Sequence, residues 1–359
     1  MTTFTSPIEQ HIPLSRGPWK TFEPFLFCVH HQDQYPSGDD QLAPTTGVRG
    51  RQIGSDFSNL NGWSMYHGDS VPGFPQHPHR GFETISIVRR GLIDHSDSLG
   101  ATARIGAGDV QWMTAGAGIV HAEMFPLVHA DKENPTDFFQ LWLNLPSTRK
   151  MTPPAFKMFW SEEVPRVRLK DSAGRESVVT VIAGVFGDQA PPTPPEASWA
   201  AEPYAEVAIW IVELSANASV TLPEQPEGTR RVVYHVDGGE IKIGREALHA
   251  EHGALMRAGV QHELTSPSVS ATALVLQARP IGEPVAQHGP FVMNNHQELR
   301  QAFYDYQRTR FGGWPWRRPD PVHDRRAGRF ARYADGREDR PPVKPRAEDH
   351  QSTSTQRGK

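Results

Sequence analysis

Short apolar runs separated by glycine-rich turns fill the chain from residue 62 to residue 146. Examples are "TISIV", "ARIGAGDVQWM", "GIVHAEM" and "FFQLWLNLP". Strands at this spacing, without helices between them, are typical of a β-sandwich or barrel. A stretch that resembles a linker, "PSTRKMTPP", follows, and the pattern resumes with "VVTVIAGVFG" and "EVAIWIVEL". The sequence therefore predicts an all-β fold with two β units.

The two β units look like copies of one another. "HPHRGFETISIVRRGLI" aligns with "QPEGTRRVVYHVDGGEI" at a constant offset that pairs Pro78 with Pro226. Self-similarity of this kind is economically explained by a duplicated domain. We expect the first copy over residues 21–146 and the second over residues 147–290.

The ends of the chain are expected to differ from the β units. Residues 1–20 are predicted to form a flexible lead-in. A C-terminal helix is predicted within residues 291–313, because Asn295 and Glu298 resemble a capping box in "NNHQELRQAFYDYQRTRFGG". Residues 314–359 are charged, rich in proline and poor in aliphatic side chains, which predicts a disordered tail.

Charge and cysteine content narrow the class of protein. The formal net charge is -4 and the pI is near 6.5, which argues against direct nucleic-acid binding. Cys28 is the one cysteine, so no internal disulfide is possible and a cytosolic setting fits. The N-terminal residues lack the layout of a signal peptide, and no apolar run is long enough to span a membrane. We expect a cytoplasmic monomer without membrane contact.

Candidate metal ligands occur in two places along the first β unit. His77, His79 and Glu83 stand at odd spacings in "HPHRGFET", and alternate residues of an extended chain project to one face. His121 and Glu123 are likewise two apart in "GIVHAEM". Three imidazoles and a carboxylate suit a borderline divalent metal, with positions left for water, substrate or dioxygen. The alternative is a set of surface histidines with a salt-bridging glutamate.

The second β unit lacks an equivalent ligand set. Only His262 persists, opposite His121, when the two units are aligned. The positions matching His77, His79, Glu83 and Glu123 hold Gln225, Glu227, Arg231 and Leu264. Four ligands cannot be assembled from these residues, so the second unit is predicted to be metal-free.

Long strings in the sequence resemble the pirin family of bicupins. The resemblance spans about residues 60–311 and is carried by "HPHRGFET", "GDVQWMTAGAGIVHAEM" and "IGEPVAQHGPFVMN". It implies two tandem cupin barrels of the double-stranded β-helix (jelly-roll) type, the second degenerate. It also implies one Fe(II), with Mn, Ni, Cu, Co or Zn as substitutes, in the N-terminal barrel. The implied ligands are His77, His79, His121 and Glu123.

The resemblance further implies oxygen-dependent ring cleavage of the quercetin 2,3-dioxygenase type. A flavonol-like aromatic substrate and O2 would meet at the metal, which acts as a Lewis acid, and Glu123 would be the general base. Glu83, Met65, Trp112 and Met113 are expected near the site, the last three as lining residues. The rival hypothesis is a non-catalytic, iron- and redox-dependent regulator that binds a transcription factor or a metabolic enzyme. An open, apolar pocket at the metal would favour catalysis.

Overall fold

A computed structural model describes residues 5–343, and strands account for most of its regular structure. The strands in chain order are β1 (Ile8–Pro13), β2 (Phe25–Tyr35), β3 (Gly73–His79), β4 (Phe82–Arg90), β5 (Leu92–Asp97), β6 (Thr102–Gly106), β7 (Val110–Thr114), β8 (Ile119–Met124), β9 (Asn134–Asn144), β10 (Ala155–Phe159), β11 (Arg166–Lys170), β12 (Glu176–Ala183), β13 (Ala208–Leu214), β14 (Ser219–Thr221), β15 (Arg230–Gly238), β16 (Ile241–Ile243), β17 (Glu246–Leu248), β18 (His252–Met256), β19 (Glu263–Thr265), β20 (Ala271–Ala278), β21 (Ala286–His288), β22 (Phe291–Met293), β23 (Phe330–Arg332) and β24 (Glu338–Asp339). Short 3-10 turns lie at Leu60–Gly62, Ser147–Arg149, Trp199–Ala201, Pro203–Ala205 and Arg310–Gly312.

These strands build two barrels, each made of two sheets. The first barrel combines a sheet of order β10-β7-β4-β9-β2 with a sheet of order β24-β23-β6-β5-β8-β3. The second combines β1-β18-β15-β20-β13-β12-β11 with β14-β19-β16-β17. β21 and β22 form a separate hairpin. The predicted all-β fold with two tandem barrels is confirmed.

The barrels are held together by the outer faces of two sheets, the five-stranded sheet of the first barrel and the seven-stranded sheet of the second. In β4, Ile85 and Ile87 belong to a core cluster that also contains Val232 and Tyr234 of β15. Burial of apolar area on these facing sheets is the main force that joins them. The alternate residues of β4, such as Ser86, point into the first barrel instead, where Ser86 donates a hydrogen bond to Glu123.

The repeat exists, but its predicted register is wrong by one residue. The residues of β4 that face the other barrel are odd-numbered, and those of β15 are even-numbered. The offset that pairs Pro78 with Pro226 is even, so it matches side chains from opposite faces of the two strands. A slip of one residue along a strand moves every side chain to the other face.

The prediction that residues 1–20 form a flexible lead-in is wrong for the described part. β1 pairs antiparallel with β18, so the N-terminal strand completes a sheet of the second barrel. Ile8 and Ile12 are buried there, which explains why the segment is fixed. Residues 1–4 lie outside the described residues.

The predicted disordered tail is likewise wrong for residues 314–343. β23 pairs with β6 and extends a sheet of the first barrel, and β24 pairs with β23. The segment is rich in arginine, but its charges find partners, as in the Arg329–Asp109 pair at 2.6 Å. Residues 344–359 of the predicted tail lie outside the described residues.

The boundary between the barrels falls later than residue 146. β10 (Ala155–Phe159) pairs with β7 of the first barrel, and β11 (Arg166–Lys170) is the first strand after it to join the second. The stretch that resembled a linker, "PSTRKMTPP", is part of the first barrel. Its Lys150 is buried and donates hydrogen bonds to Gly81 and Asn144 of that barrel.

The predicted C-terminal helix is present as α1 (His296–Thr309). Asn295 caps it, because its side chain accepts a hydrogen bond from the amide of Glu298. Arg310 ends it in the left-handed conformation. None of the helices in residues 5–343 has the length and apolar character needed to cross a membrane.

Candidate metal centre

Two neighbouring strands at one end of the first barrel carry the predicted histidines. β3 and β8 are antiparallel, and their register places His77 directly opposite His121. His79 follows two residues later on the same face of β3, as alternation requires. β3 ends at His79, and the chain turns at Gly81 (φ +87), where a Cβ would meet the carbonyl oxygen of Val292 at 1.9 Å. Only glycine fits this turn.

The three imidazoles converge in the interior of the barrel. Their nitrogen ligand atoms all lie within 4.8 Å of one another. The ring centroids of His77 and His121 are 4.4 Å apart, and that of His79 lies 4.8 Å from His77 and 5.0 Å from His121. Such a spacing fits one cation between three nitrogens, as in sites with an open coordination position.

Hydrogen bonds select which nitrogen of two rings faces the cluster. Nδ1 of His77 donates to the carbonyl oxygen of Pro75 at 2.8 Å, and Nδ1 of His79 donates to that of Pro290 at 3.4 Å. A ligating histidine usually donates its second N–H in this way, which leaves Nε2 available for the metal. Both nitrogens of the buried His121 lack a hydrogen-bond partner among the described residues. Since a buried imidazole without partners is costly, the residues present fit a bound divalent metal.

The electrostatics of the cluster favour neutral imidazoles. Burial lowers the pKa of His77 to about 4, and burial together with the neighbouring histidines lowers the pKa of His79 and His121 well below the ordinary value. A metal ligand must be the deprotonated ring. At neutral pH all three are therefore in the ligating state.

Glu123 lies beside the cluster but is not one of its members. Its carboxylate accepts hydrogen bonds from Ser86 at 2.8 Å and from Gln140. Its carboxylate oxygens do not belong to the group of ligand atoms that lie within 4.8 Å of one another, which His77, His79 and His121 form. Burial raises the pKa of Glu123, and the two hydrogen bonds oppose that shift. Its predicted roles, fourth ligand and general base, stay predictions.

Glu83 does not share the face of His77 and His79, contrary to the sequence prediction. Because the chain turns at Gly81, Glu83 belongs to the next strand and points toward the core between the barrels. Its carboxylate accepts hydrogen bonds from Thr114 at 2.7 Å and Ser198 at 2.5 Å. Burial raises the pKa of Glu83 to about 7.

The predicted lining residues Met65, Trp112 and Met113 are buried but border no part of the cavity at the histidines. Trp112 belongs to the core between the barrels. Met65 belongs to a core cluster of aromatic and aliphatic side chains, and Met113 belongs to a second cluster with Ile119. Their assignment as lining residues is wrong: Trp112 lies on the outer face of its sheet, and Met65 and Met113 are enclosed by other apolar side chains.

His95 is a neighbour of the site that the sequence reasoning missed. It lies on β5 opposite Glu123, and its ring centroid is 5.5 Å from that of His121. Its Nε2 is 3.2 Å from a carboxylate oxygen of Asp97, and its buried Nδ1 has no hydrogen-bond partner in residues 5–343. The available signal was the alternating pair His95 and Asp97 in "GLIDHSD", but the pairing of β5 with β8 was needed to place it.

A cavity of about 1070 Å³ opens at His77 and His79. It lies along β2 and β3, which are the edge strands of the two sheets of the first barrel. Aromatic side chains form much of its wall near the histidines, namely Phe27, Tyr66, Phe74 and Trp142. The volume is at the upper end of the roughly 300–1,000 Å³ that is usual for small-molecule sites.

Comparison with known proteins agrees with this geometry. The Pirin family model matches residues 14–143, and the model of the Pirin C-terminal cupin domain matches residues 209–312. A Pseudomonas aeruginosa protein named "Putative quercetin 2,3-dioxygenase" is 39% identical over 240 residues, which are 67% of this chain and 79% of that protein. Human pirin is 33% identical over 274 residues, 73% of this chain and 87% of pirin.

A solved structure shows the same architecture. The crystal structure of a quercetin 2,3-dioxygenase from Acinetobacter baumannii aligns with a TM-score of 0.67 and 27% identity, covering 85% of this chain and 98% of that chain. The two barrels and the histidine cluster thus define a bicupin of the cupin superfamily. Within that class, the chain belongs to the pirin family.

Proposed function

We propose that this protein is a dioxygenase of the quercetin 2,3-dioxygenase type, with a single Fe(II) held by His77, His79 and His121. The observation that carries the proposal is the cluster of three neutral imidazoles, two buried and that of His77 half-buried, that opens into a cavity with aromatic walls. The names of relatives and of the aligned structure support the same chemistry. An open cavity at the histidines supports catalysis over a purely regulatory role.

The residues around the histidines suit an aromatic substrate. Tyr66, Phe74 and Trp142 border the cavity, and such side chains bind flat rings through apolar and edge-to-face contacts. The bound metal would supply Lewis acidity that lowers the pKa of a ligated substrate hydroxyl.

Glu123 is proposed as the base that removes the proton of the flavonol 3-hydroxyl. Its raised pKa makes it a better proton acceptor than an ordinary glutamate, and Ser86 and Gln140 fix its orientation. The overall change converts one flavonol and one O2 into a ring-opened ester and one carbon monoxide. This reaction is balanced without a further reductant.

The test is anaerobic loading of the protein with iron, followed by measurement of oxygen uptake and carbon monoxide release with quercetin. We expect one carbon monoxide to be released for each O2 consumed. The Glu123→Gln variant should lower kcat by about 10²–10⁴-fold while the protein retains iron. Glu263→Gln, at an exposed position, is the matched control and should leave kcat unchanged. An iron-loaded protein that is inert toward flavonols would overturn the proposal.

A further inference from the structure

The cavity at the histidines continues past the first barrel to the second. Besides the residues near His77 and His79, it is bordered by Val236 of β15 and by Glu251. It is also bordered by the chain from Leu14 to Trp19, which joins β1 to β2. We call the part near the histidines the metal lobe. The part bordered by Arg16, Trp19, Val236 and Glu251 is the seam lobe, because it lies where the two barrels meet.

The seam lobe is built by ordered residues. The amide of Leu14 donates to the carbonyl of Glu251 in the second barrel, and the amide of Trp19 donates to the carbonyl of Cys28 in the first, each at 2.7 Å. The ring of Trp19 stacks on Tyr234 with centroids 5.3 Å apart. β15 shifts register between His235 and Asp237, so Val236 stands at a bulge. Val236 packs against the same core cluster as Val232 and Tyr234, where the barrels meet, and it borders the cavity.

The size of the cavity exceeds the need of a bare flavonol. At about 1070 Å³, it has room for more than a three-ring aromatic molecule held at the metal lobe. The usual range of roughly 300–1,000 Å³ already accommodates drug-sized ligands. An occupant that fills both lobes must therefore carry a substituent beyond its aromatic nucleus.

The charges of the seam lobe indicate the chemistry of that substituent. One cation, Arg16, and one anion, Glu251, both border the lobe and are exposed. Because they offset one another, neither an anionic nor a cationic group is favoured. The charged side chains of Arg16 and Glu251 can form hydrogen bonds, and the apolar side chains of Trp19 and Val236 border the cavity beside them. A neutral group with several hydroxyls matches this combination.

We propose that the seam lobe is a second binding subsite, which takes a sugar substituent on an aromatic substrate whose free hydroxyl lies at the three histidines. The placement of that hydroxyl rests on the proposed function, whereas the subsite itself is tested by binding alone. The degenerate barrel then has a role in substrate selection, because Val236 and Glu251 belong to it.

The experiment measures anaerobic dissociation constants of the iron-loaded protein for quercetin, its 7-O-glucoside and its 4′-O-glucoside. We expect at least one glucoside to bind as tightly as quercetin or more tightly. Val236→Trp fills the seam lobe and should weaken binding of that glucoside by about tenfold or more, with quercetin changed less than about twofold. Val269→Trp, on an exposed part of the second barrel, is the matched control and should change neither constant.

A second variant guards against misfolding of Val236→Trp. Glu251→Ala removes an exposed carboxylate but keeps the backbone carbonyl that holds Leu14. It should weaken glucoside binding by about threefold to tenfold, the value of one hydrogen bond. Quercetin affinity should be unaffected.

The outcomes separate this proposal from the dioxygenase. Quercetin turned over with both glucosides rejected would overturn the subsite and leave the dioxygenase in place. Equal weakening of quercetin and glucoside in both variants would also overturn the subsite. Glucoside binding that is lost in the variants, without turnover of any flavonol, would support the subsite and overturn the dioxygenase. If no ligand binds, both proposals fail.

Discussion

Lys150 donates a hydrogen bond from its buried Nζ to the carbonyl oxygen of Gly81, the residue two positions beyond His79, at 2.8 Å. The same Nζ reaches Oδ1 of Asn144 at 2.7 Å and the carbonyl oxygen of Val292 at 3.2 Å. One cation therefore ties the turn after the ligand strand to the end of β9 and to the β22 strand.

Replacing this lysine should destabilise the first barrel. In Lys150→Met, three buried acceptors lose their donor, which should lower the free energy of unfolding by about 1.5–3 kcal/mol at neutral pH. Chemical denaturation at pH 7 measures this change. Lys132→Met, at an exposed position, is the control and should stay within about 0.5 kcal/mol of the parent. An equal effect of the two substitutions would contradict the role given to Lys150.

The same residue predicts a rise of stability with pH. Burial lowers the pKa of Lys150 to about 8, and Glu283 and Glu298 oppose that shift. The unfolded chain, with a lysine pKa of about 10.4, binds more protons than the folded chain between pH 8 and 10.4, so this residue adds stability as pH rises through that window. The difference in unfolding free energy between the parent and Lys150→Met should therefore grow from pH 8 to 10. A difference that does not change with pH would show that the pKa of Lys150 is not lowered in the folded protein.

The C-terminal segment of residues 314–343 should support the metal centre. The amide of Gln76, next to His77, donates to the carbonyl of Pro319 at 2.7 Å, and Nε1 of Trp316 donates to the carbonyl of Asp97 at 2.8 Å. Asp97 is the register partner of His121. The segment thus contacts the strands on both sides of β8.

Ending the chain after Gly313 should weaken both stability and metal affinity. The fully buried Arg104 donates to the carbonyls of His323, Asp324 and Ala327, and would lose all three acceptors. Hydrogen bonds to a charged group contribute roughly 1.5–3 kcal/mol each, so a loss above about 3 kcal/mol is expected. Thermal unfolding and competitive metal titration measure the two effects. The control is Arg317→Gln, at an exposed position of the same segment, which should leave both values unchanged.

A buried ion pair should fix the long loop between β2 and β3 that borders the cavity. Arg51 contacts Asp56 at 2.8 Å, and its guanidinium lies 3.3 Å from the ring centroid of Trp63. Arg51→Met leaves a buried carboxylate without its cation, which should cost about 3–5 kcal/mol. Chemical denaturation compares it with Arg49→Met, an exposed control that should have little effect.

The ion pair also predicts a loss of stability in acid. Burial alone would raise the pKa of Asp56, but hydrogen bonds from Ser58 and the Met65 amide outweigh it and bring the pKa to about 2. Because the unfolded value is about 3.9, the contribution is present above about pH 4 and is lost as pH falls toward 2. The difference in unfolding free energy between the parent and Asp56→Asn should shrink across that window. A constant difference would contradict the depressed pKa.

The sequence predicted the histidine cluster because strand alternation alone places His77 and His79 on one face. It could not place Glu83, since a single turn at Gly81 moves the next residues to another strand. His95 depends on the pairing of β5 with β8, which no local pattern encodes. The ordered C-terminal segment was missed for a similar reason: its composition is that of a disordered chain, and the groups that hold it, such as Arg104, lie far away in the sequence.

The second barrel should bind no metal, because an arginine occupies the place of the cation beside its histidine. Nη1 of Arg231 is 2.9 Å from Nδ1 of His262, and Nε2 of that ring donates to the carbonyl oxygen of Arg257 at 2.9 Å. Gln277 accepts two further hydrogen bonds from Arg231. Both nitrogens of His262 are therefore engaged, whereas those of His121 are not.

Metal analysis and competitive titration should find one equivalent of divalent metal per chain. His121→Ala should abolish it, and the matched variant His262→Ala should keep the full equivalent even though it unpairs Arg231 and lowers the unfolding temperature. Retention of metal by His121→Ala, or loss of metal from a folded His262→Ala protein, would contradict the assignment of the metal centre to the first barrel.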